Sequence, residues 1–232
     1  MRDIRNHSLL HHNTFGIDVS CRRFIEFDTK AELLEALSRL TEADYPIMPL
    51  GKGSNLLLTK DFDGTVLCSN IRSIDIAINN HEAVITSGSG VVWDDLVATC
   101  VEQGAYGLEN LSLIPGTVGA AAVQNIGAYG VEAKDTIESV ECYLPDEDRV
   151  VALSNAECRF GYRDSVFKRE LRSRAVILSV LFGLSRRPEF RLRYEDVSRR
   201  VDELGGPSLK NIREAVVAIR RAKLPDPKVL GN

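Results

Sequence analysis

The 232 residues carry 29 Lys and Arg against 33 Asp and Glu, a formal charge of −4, with 44% hydrophobic and 27% charged residues. That balance belongs to a soluble globular chain and argues against disorder and against a membrane protein. It gives no basic excess to drive nucleic-acid binding, and the length allows one large or two small domains, each able to bury a core.

Residues 23–27 alternate and predict a strand. Thr29 and Glu32 form a capping box, with Leu33, Leu37 and Leu40 at helical spacing behind it, so a helix is expected to about residue 40. A short apolar strand is expected at 46–50, a tight polar turn at 51–55, and extended structure again at 56–58. Ile74, Ile76 and Ile78 alternate with polar residues, and Asn79-Asn80 can turn the chain into a second strand at 83–86. Trp93, Leu96, Val97, Cys100 and Val101 mark an amphipathic helix that Gly104 is placed to end. Residues 107–130 are rich in glycine and small side chains and show no period. Strands at 136–144 and 150–153 flank a turn, 175–184 is a long apolar strand, and Ile212, Ala215, Val216 and Ile219 predict a final helix capped by Ser208. Irregular alternation of strands, helices and hairpins predicts an α+β fold with mixed sheets in two subdomains rather than a doubly wound sheet.

The five cysteines, Cys21, Cys68, Cys100, Cys142 and Cys158, are scattered and form no C-x-x-C, which reads as reduced core thiols in a cytoplasmic protein. The first residues contain no apolar stretch of signal-peptide type, and no apolar run reaches the length of a membrane span. His7, His11 and His12 lack a carboxylate or thiol at supporting spacing, so no metal is expected. The pairs Arg186-Arg187, Arg199-Arg200 and Arg220-Arg221 fit solvated faces, or a site for a phosphorylated small molecule.

Gly88-Ser89-Gly90 follows a strand, but Trp93 stands where a dinucleotide fingerprint needs its third glycine, and Gly51-Lys52-Gly53-Ser54 has the wrong order for a Walker loop. A looser logic remains. Gly51 and Gly53 let successive amides converge on an anion, with Ser54 and Asn55 adding side-chain donors. Gly116-Thr117-Val118-Gly119 after Pro115 can do the same, and three alanines at 120–122 allow close approach of a flat ligand. Either segment alone is equally a tight turn, whereas both in one chain favour a diphosphate-bearing cofactor. Gln124-Asn125-Ile126-Gly127 supplies amide groups suited to the polar edge of a flavin ring.

Six segments occur in order: Asn13-Thr14-Phe15-Gly16, Gly51 to Asn55, Leu113 to Gly119, Gln124 to Gly130, Phe160 to Ser165, and Lys223-Leu224-Pro225-Asp226-Pro227-Lys228. Together they resemble the UDP-N-acetylenolpyruvoylglucosamine reductases, also called UDP-N-acetylmuramate dehydrogenases. The resemblance implies a two-subdomain FAD-binding fold of the vanillyl-alcohol-oxidase type, with subdomains at 1–72 and 73–222. It also implies a cytoplasmic enzyme of peptidoglycan synthesis in which NADPH reduces FAD and the flavin passes hydride to the enolpyruvyl group of a UDP-sugar.

By the same resemblance, Gly51, Lys52, Gly53, Ser54 and Asn55 form a first FAD diphosphate loop and Pro115, Gly116, Thr117, Val118 and Gly119 a second, with Gln124, Asn125, Ile126 and Gly127 as flavin neighbours. Arg163 matches the active-site arginine, where a fixed guanidinium would stabilise charge building toward the substrate carboxylate. Tyr162, Tyr194, Arg220 and Lys223 match substrate-side residues. In the family, the segment after Lys223 leads into Ala-Gly-Ser, whose serine is the proton donor, and then into a third, substrate-binding domain. The sequence ends at Asn232, so residues 223–232 read as a stub before that missing domain, and the chain as a truncated FAD-binding part with little activity alone. The other readings are a non-catalytic flavin- or nucleotide-binding module, and an oxidase of the same fold with tethered flavin, for which no local His or Cys motif is visible. The oligomeric state stays open.

Overall fold

A computed structural model describes residues 1–224. In chain order the first unit contains β1 (Arg2–Ser8), β2 (Ser20–Phe27), α1 (Lys30–Ser38), β3 (Ile47–Pro49) and β4 (Phe62–Ser69). Its sheet runs β1-β2-β4-β3, antiparallel between β1 and β2 and parallel elsewhere. The second unit contains β5 (Ile74–Ile78), β6 (Glu82–Gly88), α2 (Trp93–Glu102), α3 (Val118–Val123), β7 (Gly127–Ala128), β8 (Val131–Glu132), β9 (Ile137–Leu144), β10 (Arg149–Ser154) and β11 (Val176–Ser185), followed by α4 (Glu195–Glu203) and α5 (Leu209–Lys223). Its five-stranded sheet, β10-β9-β11-β6-β5, is antiparallel throughout, and β7 and β8 form a separate ribbon. The fold is α+β, with one mixed sheet and one antiparallel sheet.

Local chemistry accounts for most of the boundaries. The Thr29 hydroxyl accepts from the Glu32 amide at 3.2 Å, but Glu32 reaches back to the Asp28 amide at 2.7 Å, one residue before the expected partner. Helix α2 buries Trp93, Leu96, Val97 and Cys100 against the second sheet, and Gly104 takes φ +69° just beyond its end. The Ser208 hydroxyl caps α5 by accepting from the Asn211 amide at 3.1 Å.

Several stretches differ from the sequence reading. Residues 56–58 form no strand: among the described residues they pair with no neighbouring strand, although Leu56 and Leu58 pack into the apolar cluster behind β2 and β4. Strand β1 has almost no apolar residues and is held instead by cross-strand pairing, including Arg23 on Asp3 at 2.7 and 2.8 Å. Helix α4 buries only Val197 and Val201, which pack on Ile212, Ala215 and Val216 of α5. The two sheets meet through a shared cluster in which Ile25, Phe27 and Leu33 of the first unit pack with Tyr143, Val176 and Leu178 of the second. The glycine-rich segments lie beside this junction.

Candidate functional site

Leu50 makes the last ladder bond of the β3 edge, donating to the Leu67 carbonyl at 2.8 Å, and the chain then leaves the sheet at Gly51. Gly53 has φ +63°, and a Cβ there would overlap the His12 carbonyl oxygen. The segment after His12 is braced by the buried Asn13, whose amide donates to Leu9 O at 2.7 Å and Ile17 O at 2.9 Å and accepts from the Ile17 amide at 3.0 Å. Asn13 therefore builds the platform on which this first loop turns. Among the described residues, the amides of Gly51, Lys52, Gly53 and Asn55 donate to no protein acceptor. Successive amides of this kind make an anion-binding concavity.

The second loop behaves differently. The Val118 amide donates to Val91 O at 2.9 Å, the Gly119 amide to Ser89 O at 3.0 Å, and the Ala120 amide to Thr117 Oγ1 at 3.4 Å. Those three amides are consumed in shaping the turn, whereas among the described residues the Gly116 and Thr117 amides donate to no protein acceptor, so the second loop offers two open amides against four in the first. Gly119 presses on Ser89, whose Cβ would lie 2.8 Å from an added Cβ, and Gly116 adopts φ +129°.

The loops close on each other. A Cβ on Gly51 would lie 3.1 Å from both Ala120 Cβ and Thr117 Oγ1. Ser54 Oγ donates to Pro115 O at 3.4 Å, and Asn55 Nδ2 to Gln124 Oε1 at 2.6 Å. Between them lies a cleft of about 560 Å³. The whole first loop lines it, together with Pro115, Thr117, Gly119, Gln124 and Ile126. Gly116, Val118, Asn125 and Gly127 do not line it, and Val118 is fully buried in the second core. Trp93, Phe167 and Ile177 give the cleft apolar walls, so it combines a donor-rich end with a surface for a flat apolar body. Lys168 and Arg172 also line it; they lie in a short turn after Ser165 that carries no periodic signal, and sequence reasoning missed them.

Residues 124–127 serve two sides at once. Gln124 and Ile126 face the cleft, while the carbonyls of Asn125 and Gly127 both accept from the Arg163 guanidinium, the first at 3.3 Å. A Cβ on Gly127 would sit 2.7 Å from Arg163 Nη1. Asn125 is fully buried at φ +42°; its side chain donates to Gly161 O at 2.8 Å and Glu132 Oε2 at 3.2 Å and accepts from the Lys134 amide at 2.9 Å. That network fixes the tight turn between Gly161 and Asp164, which presents Tyr162 and Arg163, the latter at φ +52°. Arg163 also lies 3.8 Å from Glu132 and 5.1 Å from the Tyr162 ring centroid.

Tyr194 and Arg220 gather at the far end of the same segment. The Tyr194 ring meets Tyr129 edge-on at 5.8 Å, and Arg220 Nε donates to Leu113 O at 3.2 Å. Burial pushes the Arg220 guanidinium down, partly countered by Tyr129 and Asp94. Lys223 instead pairs with Asp196 of α4 at 2.5 Å, and no contact among the described residues joins it to Arg163. The Pro225-Asp226-Pro227-Lys228 part of its motif lies outside the described residues. All five cysteines are buried; burial pushes Cys68, Cys100 and Cys158 up to about 12 and Cys142 up to about 11, so none offers a thiolate near neutral pH.

A model of the FAD binding domain family matches residues 22–153. A UDP-N-acetylenolpyruvoylglucosamine reductase of Bacteroides fragilis is 47% identical over 231 residues, spanning 98% of this chain and 68% of its own length. The enzyme of that name from Neisseria gonorrhoeae is 48% identical over 226 residues, spanning 95% of this chain and 65% of its own length. The chain thus spans about two thirds of the length of these curated relatives. The solved UDP-N-acetylenolpyruvylglucosamine reductase from Thermus caldophilus shares the fold, with a TM-score of 0.71 over 97% of this chain and 71% of that one, at 24% identity. With identity near one half sustained along almost all of its residues, the chain belongs to the UDP-N-acetylenolpyruvoylglucosamine reductase family and carries an FAD binding domain.

Proposed function

We propose that this chain is the FAD-binding part of a cytoplasmic, NADPH-dependent reductase that converts UDP-N-acetylglucosamine enolpyruvate to UDP-N-acetylmuramate in peptidoglycan synthesis. Residues 1–72 and 73–222 act in this reading as two subdomains that share one cofactor. The observation that carries it is the double duty of residues 124–127, which line the cleft with Gln124 and Ile126 and hold Arg163 with the carbonyls of Asn125 and Gly127.

The cleft fits the cofactor. The amides of Gly51, Lys52, Gly53 and Asn55 suit a diphosphate, and the Cβ-free cradle at Gly53 lets the backbone approach it. When bound, FAD supplies the two-electron chemistry, accepting hydride from NADPH and giving it to the enolpyruvyl group of the UDP-sugar. The protein's part is positional and electrostatic. The first loop, with Lys52, holds the diphosphate, and the apolar walls keep water from the ring. Arg163 neutralises charge that builds toward the substrate carboxylate, and Tyr162, Tyr194, Arg220 and Lys223 orient the UDP-sugar.

FAD titration followed by stopped-flow separation of the two half-reactions tests this reading. In a version extended through the family's third domain, Arg163→Ala should slow flavin reoxidation by the UDP-sugar by about 10²-fold and leave reduction by NADPH largely unchanged. Equal loss in both half-reactions removes the assigned role. A second reading, a flavin-binding module without catalysis, is favoured by the openness of Tyr162, 83% exposed. It predicts FAD binding with no NADPH consumption coupled to the UDP-sugar, even in the version extended through the third domain.

A further inference from the structure

Leu113 opens the second loop with φ +58°, a left-handed conformation that a branched side chain disfavours. Both of its backbone polar groups are held by charged side chains. Its amide donates to Asp94 Oδ1 at 2.6 Å, and its carbonyl accepts from Arg220 Nε at 3.2 Å. Asp94 stands in the first turn of α2 and also takes both arms of the Arg213 guanidinium, at 2.6 and 2.9 Å, across 119 positions of sequence. Arg213 and Arg220 are two turns apart on one face of α5. The residue before Asp94 grips the same loop, because the Trp93 amide donates to Gly116 O at 3.1 Å.

We propose that Asp94 is the positioning residue of the second loop, locking Leu113 in its left-handed conformation so that helix α5, through Arg213 and Arg220, sets the affinity of the cleft for FAD. The inference rests on the reading of the cleft as the FAD site. Pro115, two residues past Leu113, receives Ser54 of the first loop through its carbonyl, so a shift at Leu113 is passed to both walls of the cleft. The charge state suits the role. Burial pushes the Asp94 carboxyl up, but the Arg213 guanidinium and the Leu113 amide outweigh it and hold the group below its ordinary value.

The test is FAD titration by flavin fluorescence quenching on the 232-residue chain, with thermal unfolding of the FAD-free protein measured in parallel. Asp94→Asn should weaken FAD binding by about tenfold, the scale of one lost charge-assisted hydrogen bond. Adding Leu113→Gly should return the affinity to within about threefold of wild type, because glycine holds φ +58° without the clamp. A mere staple between helices would show a lowered Tm, unchanged FAD affinity and no rescue, and that result overturns the proposal. A tenfold loss that Leu113→Gly fails to relieve overturns it as well. Should Asp94→Asn not fold, Arg220→Gln removes the carbonyl clamp alone and should cost about threefold in affinity, with no change overturning the proposal. Wild-type protein that binds no FAD overturns the functional reading, and the inference with it; undiminished binding in the variants overturns the inference only.

Discussion

The cleft and the turn that carries Arg163 share residues 124–127 yet are built on opposite plans. The cleft is closely packed: Gly53 sits where a side chain would strike main chain, Gly51 and Gly119 sit where one would crowd neighbouring side chains, and the two loops are tied together through Ser54, Asn55 and the contact of Gly51 with Thr117 and Ala120. The Arg163 turn is held by carbonyls and side chains around its backbone, with Lys168 Nζ donating to the Arg163 carbonyl at 2.7 Å and Arg169 paired with Asp164. Carbonyls hold the guanidinium from beneath, while the Arg163 side chain is 39% exposed and Tyr162 stands out in solvent. The lesson is that changes in the cleft should cost folding and cofactor affinity together, whereas changes at the tip of the turn should cost substrate recognition alone.

The largest expected effect is at Gly53. Gly53→Ala places a methyl against the His12 carbonyl and forces a side chain into φ +63°, so a loss of about 3 kcal/mol in stability and of measurable FAD binding is expected. Thermal unfolding and FAD titration check it. A variant that folds and binds normally would break the contrast at its strongest point. Asn125→Ala comes next, at about 2 kcal/mol, because it strands the Lys134 amide, removes one of the two donors to the Gly161 carbonyl and leaves alanine at φ +42°. Because the Asn125 carbonyl accepts from Arg163, this variant should also lower affinity for the UDP-sugar through a displaced Arg163.

Much of this plan was legible in the sequence, and the rest was hidden for identifiable reasons. The strand at β5 and helices α2 and α5 kept their periods because each turns one apolar face inward and leaves the other to solvent. Strand β4 was not visible: it runs parallel between two neighbours, is buried over five successive residues, and so shows no alternation. Helix α4 was hidden by its two buried valines among charged residues. The glycines marked both loops, but nothing local could rank them, since the acceptors that consume the Val118 and Gly119 amides come from Val91 and Ser89, near the end of β6. The left-handed Leu113 and the Asp94–Arg213 pair were equally invisible, because they depend on partners far along the chain.

Acid should weaken the first sheet through a buried carboxylate. The fully buried Asp44 accepts from the Thr41 amide at 2.9 Å and hydroxyl at 3.0 Å and faces Arg23 and Arg5. The Thr41 amide bond, opposed by burial and assisted by the hydroxyl and the two arginines, holds the carboxyl at about 2. A carboxyl depressed in the folded state stabilises above its ordinary value near 3.8, and that contribution is lost as pH falls toward 2. About 2 kcal/mol should disappear across this window in an acid titration followed by circular dichroism, and Asp44→Asn should flatten it.

The smallest effect is the most discriminating for the exposed turn. Tyr162→Phe keeps the ring beside the Arg163 guanidinium, 5.1 Å away, and removes only a hydroxyl that meets no protein group among the described residues. Stability should therefore change by less than about 0.5 kcal/mol, and FAD affinity should not change at all. Any effect belongs to KM for the UDP-sugar. Tyr162→Ala removes the ring as well, and the lost cation–π contact, about 0.5–1 kcal/mol at an exposed site, frees Arg163 to sample other rotamers. A measurable drop in Tm for Tyr162→Phe would mean that the hydroxyl supports the fold, and the turn would then have to be counted with the cleft as built structure rather than as an open recognition surface.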